Sequence, residues 1–496
     1  MLITDQRSSI LRSERIAGGI LPKVLSSFDM LAIFVAIVLW IPNAATVTGA
    51  GAAVFVYWGL GFITCLIPGA IVTGQLGLMF PGEGSIYVWT TKAFGNFVGF
   101  LGGFCAWWPG ILVIISGSNY VVTYIQSLEN LYHLPLLPAE SQGLVIILLI
   151  TISFLLSILR FRLTQNLVNI IFLIYGSVIV LIGVAGLAWL ITGHSPHSDF
   201  SIHQWVPKWS NLTFYGLVIL ALLGIEVPLN MGVEIKDKRS ITHYLLWGSV
   251  VVMAAYLIVT FGVMIAVPAH QQDPSALVEA IHQGFAGPLG LFLATIANLF
   301  LIGFFVFVCA VYNYSYARLL FVSGLDRRLP IAISKINGNK VPWIAVLAQS
   351  ALAALLAAFI FILAPTIIPK VQNVSNIMSD ILLAAATIFW SMSMIFLFID
   401  VITIRRKFQH TFARVRLAPD WVFTLCALVG IVANGVGIVV IFTNPWTNSL
   451  DREPWDLWLV GITIIALIVA VAVFFIGKQT IRKGMSDEEL IAEVTR

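Results

Sequence analysis

The stretch ILALLGIEVPLNMGVEIKDKRS, residues 219–240, sets a carboxylate, Glu226, two residues before a helix breaker, Pro228, inside a run otherwise suited to a bilayer interior. A charged group at that depth is costly and by default marks an ion or substrate path. Glu226 either takes up and releases a proton or holds loose backbone N–H groups where Pro228 interrupts the helix; the residue types leave both readings open. A second stretch of this kind, LWIPNAATVTGAGAA at 39–53, carries Pro42, Asn43, Thr46, Thr48, Gly49 and Gly51. Asn43 and Thr46 either hydrogen-bond a ligand or cap broken helix ends. Backbone that leaves the helix at membrane depth is tolerated only where it is buried in protein or lines an aqueous cavity. The chemistry expected is therefore recognition of a small solute by freed N–H and C=O groups.

The elements that must position these groups follow from composition. Of 496 residues, 59% are hydrophobic and 10% charged, which excludes an ordinary soluble protein. Crossing the hydrocarbon core takes roughly 20 apolar residues, and twelve such spans are read, at 28–51, 52–80, 94–128, 143–160, 165–193, 211–234, 242–268, 287–323, 341–364, 376–404, 420–443 and 455–478. The organisation expected is an arm over 1–27, a first unit of five spans over 28–193, a second of opposite orientation over 211–404, two further spans over 420–478, and a tail over 479–496. Both interrupted spans, the first and the sixth, open their unit, which is the pattern of a 5+5 inverted repeat with a central site between broken helices. With the N-terminus inside, 24 of the 27 lysines and arginines fall on the inner side, all but Lys208, Lys370 and Arg452. This places both termini in the cytoplasm and the chain in the cell membrane, and the net charge of +4 needs no nucleic-acid partner. The arm has no signal-peptide pattern. Cys65, Cys105, Cys309 and Cys426 lie within spans as packing residues, with neither a metal site nor another cofactor expected.

Three segments resemble the amino acid–polyamine–organocation superfamily of secondary transporters: PGEGSIYVWTTKAFG (81–95), GIEVPLNMGVEIKDKRS (224–240) and YARLLFVSGLDRRLPIAISKINGNKVPWIAVL (316–347). Within it, the Pro-bearing first break and Gly-Ile-Glu in span 6 are most similar to the glutamate/GABA antiporter subgroup, although the tail at 478–496 is too short for a long plug. The resemblance implies an all-α polytopic fold and a zwitterionic substrate near mid-membrane. Its carboxylate would lie on N–H groups between Thr46 and Gly51, and its amine on carbonyls between Leu220 and Leu223, with Ala221 and Gly224 beside them. Some members carry a lysine in helix 5; here that neighbourhood holds Tyr175, a phenol that stays protonated at neutral pH. Exchange of amino acids, needing no further titrating residue, is the expected mode, with proton-coupled amino acid or polyamine symport as the alternative.

The remaining polar groups are read more plainly. Asp29, Glu83, Glu234 and Asp400 near inner span ends, and Asp380 near an outer one, read as surface carboxylates with water or Lys/Arg partners. Trp107 and Trp108 either pack or wall the pocket. The wall around Leu220 is apolar, and a charged substrate side chain would need a paired partner, so neutral amino acids are favoured. No HExxH, GxSxG or paired aspartates suggest an enzyme, and no repeated filter suggests a channel. A membrane amino-acid sensor is the non-transport alternative. Oligomeric state is not legible.

Overall fold

The computed structural model describes residues 10–159, 161–268, 273–367, 374–446, 450–479 and 486–495. Residues 1–9 of the arm, Lys370 and residues 480–485 of the tail lie outside the described residues. Helices follow in the order α1 (Arg12–Ile20), α2 (Ser27–Val38), α3 (Pro42–Val47), α4 (Ala53–Met79), α5 (Ser85–Phe94), α6 (Asn96–Leu131), α7 (Ala139–Ile158), α8 (Phe161–Ile191), α9 (Thr213–Ala221), α10 (Arg239–Ala266), α11 (Ala276–Phe285), α12 (Gly287–Leu325), α13 (Trp343–Ile367), α14 (Val374–Lys407), α15 (Gln409–Arg414), α16 (Asp420–Thr443), α17 (Arg452–Gln479) and α18 (Asp487–Thr495). Among the described residues ten helices are long and apolar enough to cross a membrane, or eleven if the bent pair Ser27–Val38 and Pro42–Ala50 counts as one. The sixth sequence span does not pass as a helix, because it stops at Ala221 and resumes only as 3-10 turns, Val227–Asn230 and Gly232–Glu234.

A helix apolar on every side belongs in the interior, and α2 is the example. Residues Ala32 to Leu39 are all buried, with α8, α10 and α12 packed against this helix. Pro42 ends it: the proline has no N–H for the Val38 carbonyl, and its ring would strike that carbonyl in a continuous helix. The chain unwinds over Leu39–Ile41 and restarts as α3, at 40° to α2. In span 6 the turn-around is Gly224 at φ +94°, where a Cβ would meet Trp390 Cζ2 at 2.6 Å and Ile37 Cγ2 at 2.7 Å. Only glycine serves there, on both backbone and steric grounds.

The face that carries α1 and α18 is tied by polar contacts. Ser13 donates from its N–H and Oγ to Asp326 at 2.7 and 2.9 Å, and Tyr87 Oη donates to the same carboxylate at 3.0 Å. Glu14 pairs with Lys92 at 2.8 Å. Here too lies α18, whose Asp487 meets Arg12 at 2.8 Å and Arg15 at 3.2 Å.

The carboxylates expected at the surface of this face are instead buried, with protein partners. Asp29 takes Arg162 at 2.6 Å and Asn169 at 2.6 Å. Glu83 and Glu234 share Arg318, which lies 3.3 Å from Glu83 and also pairs with Glu234. Asp400 accepts from Thr90 at 2.6 Å. Arg318, two turns inside the end of α12, supplies the cation that makes burial of two glutamates tolerable.

Candidate binding cavity

The unwound Leu39–Ile41 segment is buried, and hydroxyls of three tyrosines from three helices satisfy its backbone and that of the turn before it. Tyr312 Oη of α12 donates to the Ile37 carbonyl at 2.6 Å. Tyr256 Oη of α10 accepts from the Trp40 N–H at 3.0 Å and lies 2.9 Å from the Val38 carbonyl. Tyr175 Oη of α8 accepts from the Ile41 N–H at 3.0 Å and donates to the Leu39 carbonyl at 2.9 Å. Tyr256 also reaches the Ala221 carbonyl of span 6 at 3.0 Å. Buried backbone groups are paired as a rule, and here the pairing joins the two breaks.

Where the two breaks meet, a small cavity is lined by Ile37, Val38, Trp40 and Asn43 of span 1, and by Leu220, Ala221 and Leu223 of span 6. Val113, Tyr120, Tyr312, Leu383 and Trp390 complete it. Rings dominate the wall. Trp40 meets Tyr120 and Tyr312 edge-on at 5.7 and 5.6 Å, and Trp390 stands edge-on to Tyr312 at 6.4 Å. On the span 6 side, the Ile219 and Leu220 carbonyls accept from Leu222 and Leu223 N–H, and Ala221 has Tyr256, whereas the carbonyls of Leu222 and Leu223 accept no hydrogen bond among the described residues. Behind the wall, Trp390 Nε1 donates to Glu226 Oε1 at 3.3 Å, and Glu226 Oε2 is buried with no partner among the described residues.

Of the residues singled out in the sequence, Asn43, Leu220, Ala221 and Leu223 line this cavity. Pro42, Thr46, Gly49, Gly51, Trp107 and Gly224 do not. Thr46 and Thr48 bond their own helix, to the carbonyls of Pro42 at 3.3 Å and Ala45 at 2.6 Å. Gly49 lies in the 3-10 turn Thr48–Ala50 that ends at Gly51, φ +63°, where the chain turns into α4. Trp107 donates to Gln349 at 3.0 Å and packs between helices. Gly224 and Pro228 shape the break, and Tyr175 braces the other one. The sequence reading missed Trp40, Tyr120, Tyr256, Tyr312 and Trp390. A signal existed: a tyrosine hydroxyl in an apolar span needs a partner, and a nearby break supplies one.

Two interrupted spans closing on one small, ring-lined cavity within a bundle of apolar helices are the build of a membrane permease. The chain belongs to the family described as amino acid permease, which matches residues 25–484, within the superfamily its motifs resemble. It is 25% identical over 287 residues to the "Probable agmatine/putrescine antiporter" of Lactococcus lactis subsp. lactis, covering 56% of this chain and 59% of that one. It is also 25% identical over 363 residues to the branched-chain amino acid permease of Lactococcus lactis subsp. cremoris, covering 68% and 76%. A "Probable polyamine transporter" of Arabidopsis thaliana shares 34% identity over 96 residues, 19% of each chain.

Proposed function

We propose that the protein is a secondary carrier that moves amino acids or amines across the cytoplasmic membrane by alternating access, working by exchange. In this reading it has twelve spans, the first ten in a 5+5 inverted arrangement with spans 1 and 6 broken, and the face holding α1 and α18 is cytoplasmic. The observation that carries the proposal is the meeting of both breaks at one cavity, linked by the Tyr256 hydroxyl. The unaccepted carbonyls of Leu222 and Leu223 suit a substrate ammonium, in which carbonyls replace water as hydrogen-bond acceptors. The names of the relatives agree with amino acids and amines as cargo.

Exchange is tested by counterflow in liposomes. Labelled substrate should enter vesicles preloaded with unlabelled substrate many times faster than empty ones; equal rates that follow a pH gradient would replace exchange by proton coupling. A specific observation favours Glu226 as the proton carrier in that second reading, since its Oε2 is buried behind the cavity wall without a partner among the described residues. Glu226→Gln, which keeps the Trp390 contact, should then abolish the response to the gradient.

A further inference from the structure

Resting on the carrier reading above, we infer that Asp380 is a substrate-binding carboxylate that receives the distal positive group of a substrate bearing two cations, whose first ammonium sits on the Leu222 and Leu223 carbonyls. Asp380 stands apart from the other carboxylates buried in the bundle. Asp29, Glu83, Glu234, Asp326 and Asp400 each have a hydrogen-bonding or ionic partner, whereas Asp380, half-buried in α14, makes neither kind of contact among the described residues. A carboxylate partly withdrawn from water with no counter-charge is costly, and such a group is completed by a cation.

Its register places it at the cavity. Asp380, Leu383, Thr387 and Trp390 fall at i, i+3, i+7 and i+10, one stripe of α14, and both Leu383 and Trp390 line the cavity. Asp380 is one turn further out, toward the face opposite α1 and α18, about 4.5 Å of rise beyond Leu383.

The wall of the cavity suits positive charge. Trp40, Tyr120, Tyr312 and Trp390 present rings, whose π faces attract ammonium and guanidinium groups. Two backbone donors at the break that could hold a substrate carboxylate, the Trp40 and Ile41 N–H groups, both go to tyrosine hydroxyls. Ten residues separate Trp390 from Asp380, about 15 Å along the helix, so the substrate that fits best is long and linear, such as a polyamine.

The test measures binding of putrescine, agmatine, spermidine and L-leucine to the purified full chain, and uptake of each into proteoliposomes. Asp380→Asn should raise the Kd of at least one of the dications roughly ten- to hundredfold, the loss of a charge-assisted contact, with ligand-free melting unchanged and any L-leucine binding unmoved. Asp380→Glu, which keeps the charge, should recover most of that affinity and carries the test if the Asn variant does not fold. Dication affinity unchanged in Asp380→Asn, or lost equally in Asp380→Glu, overturns the assignment. Wild-type vesicles that take up L-leucine but none of the three amines overturn it while leaving the carrier reading intact. Wild-type vesicles that take up none of the four overturn both.

Discussion

The hydroxyl of Tyr256 stands 3.0 Å from the carbonyl of Ala221. The same oxygen accepts the Trp40 N–H and lies 2.9 Å from the Val38 carbonyl, so one phenol, with a single proton to share between two carbonyls, couples the broken halves of spans 1 and 6. Its ring stacks on Trp58 at 4.2 Å, which fixes the hydroxyl in place. A bond between the two breaks has to change whenever they move apart.

Tyr256→Phe keeps the stack on Trp58 and removes only the bridge. It leaves a buried donor and carbonyls without partners, at about 1–3 kcal/mol for each group left bare. The variant should melt earlier in detergent and lose exchange in counterflow. Wild-type melting would mean that the hydroxyl does not hold the breaks.

Gly224→Ala places a methyl within 2.6 Å of Trp390 and 2.7 Å of Ile37 at φ +94°. Forcing an L-residue into this left-handed conformation costs roughly 1–2 kcal/mol before the clash is counted. Exchange should fall by at least about tenfold, read as initial counterflow rate per folded protein. A rate within twofold of wild type would show that the break tolerates a side chain.

Arg318→Met strips the shared cation from Glu83 and Glu234. Breaking a buried ionic cluster by removing one partner costs about 3–5 kcal/mol, so monodisperse protein should all but vanish from size-exclusion profiles. Adding Glu83→Gln and Glu234→Gln to the same chain should restore it. Full yield from the single variant would deny the cluster its structural role.

Stability should depend on pH through Asp326. Burial holds the Asp326 carboxyl above its ordinary value, against the opposing effects of Ser13, Tyr87 and the nearby Arg328. A folded-state value above the unfolded one means that the folded form binds the proton more tightly. Its contribution is fullest below the reference value of about 3.9 and is lost as pH rises through the raised value. The melting temperature of the full chain in detergent should therefore fall as pH rises through that window, and Asp326→Asn should flatten the fall. Wild-type and Asp326→Asn melting that change with pH in the same way would contradict this.

The membrane class and the sites of both interruptions were legible because the bilayer restricts the chain so severely: an apolar run of sufficient length, or a proline and glycine inside one, has few other meanings. The motif around Gly224 and Glu226 pointed to the correct break. What lay beyond reach was three-dimensional pairing. Thr46 and Gly51 looked like recognition groups because they follow Pro42, yet the unwinding lies before that proline, at Leu39–Ile41. Trp40 and Trp390 are 350 residues apart in sequence and line one cavity. The buried state of Asp29, Glu83 and Glu234 turned on partners, Arg162 and Arg318, that no local spacing could assign.

The clasp of α1 on α18 also has a meaning in time. Arg12 reaches the Ser486 carbonyl across 474 residues of chain, so α1 waits for α18 to be made. At synthesis rates of roughly 5–20 residues per second, that interval is on the order of 25–95 s. Through it the N-terminal helix sits beside a bundle still being inserted, with Arg12 and Arg15 lacking Asp487. The seal on this face forms only when the chain has been made through residue 487, so a carrier truncated before that point keeps its spans yet lacks the lock between its ends.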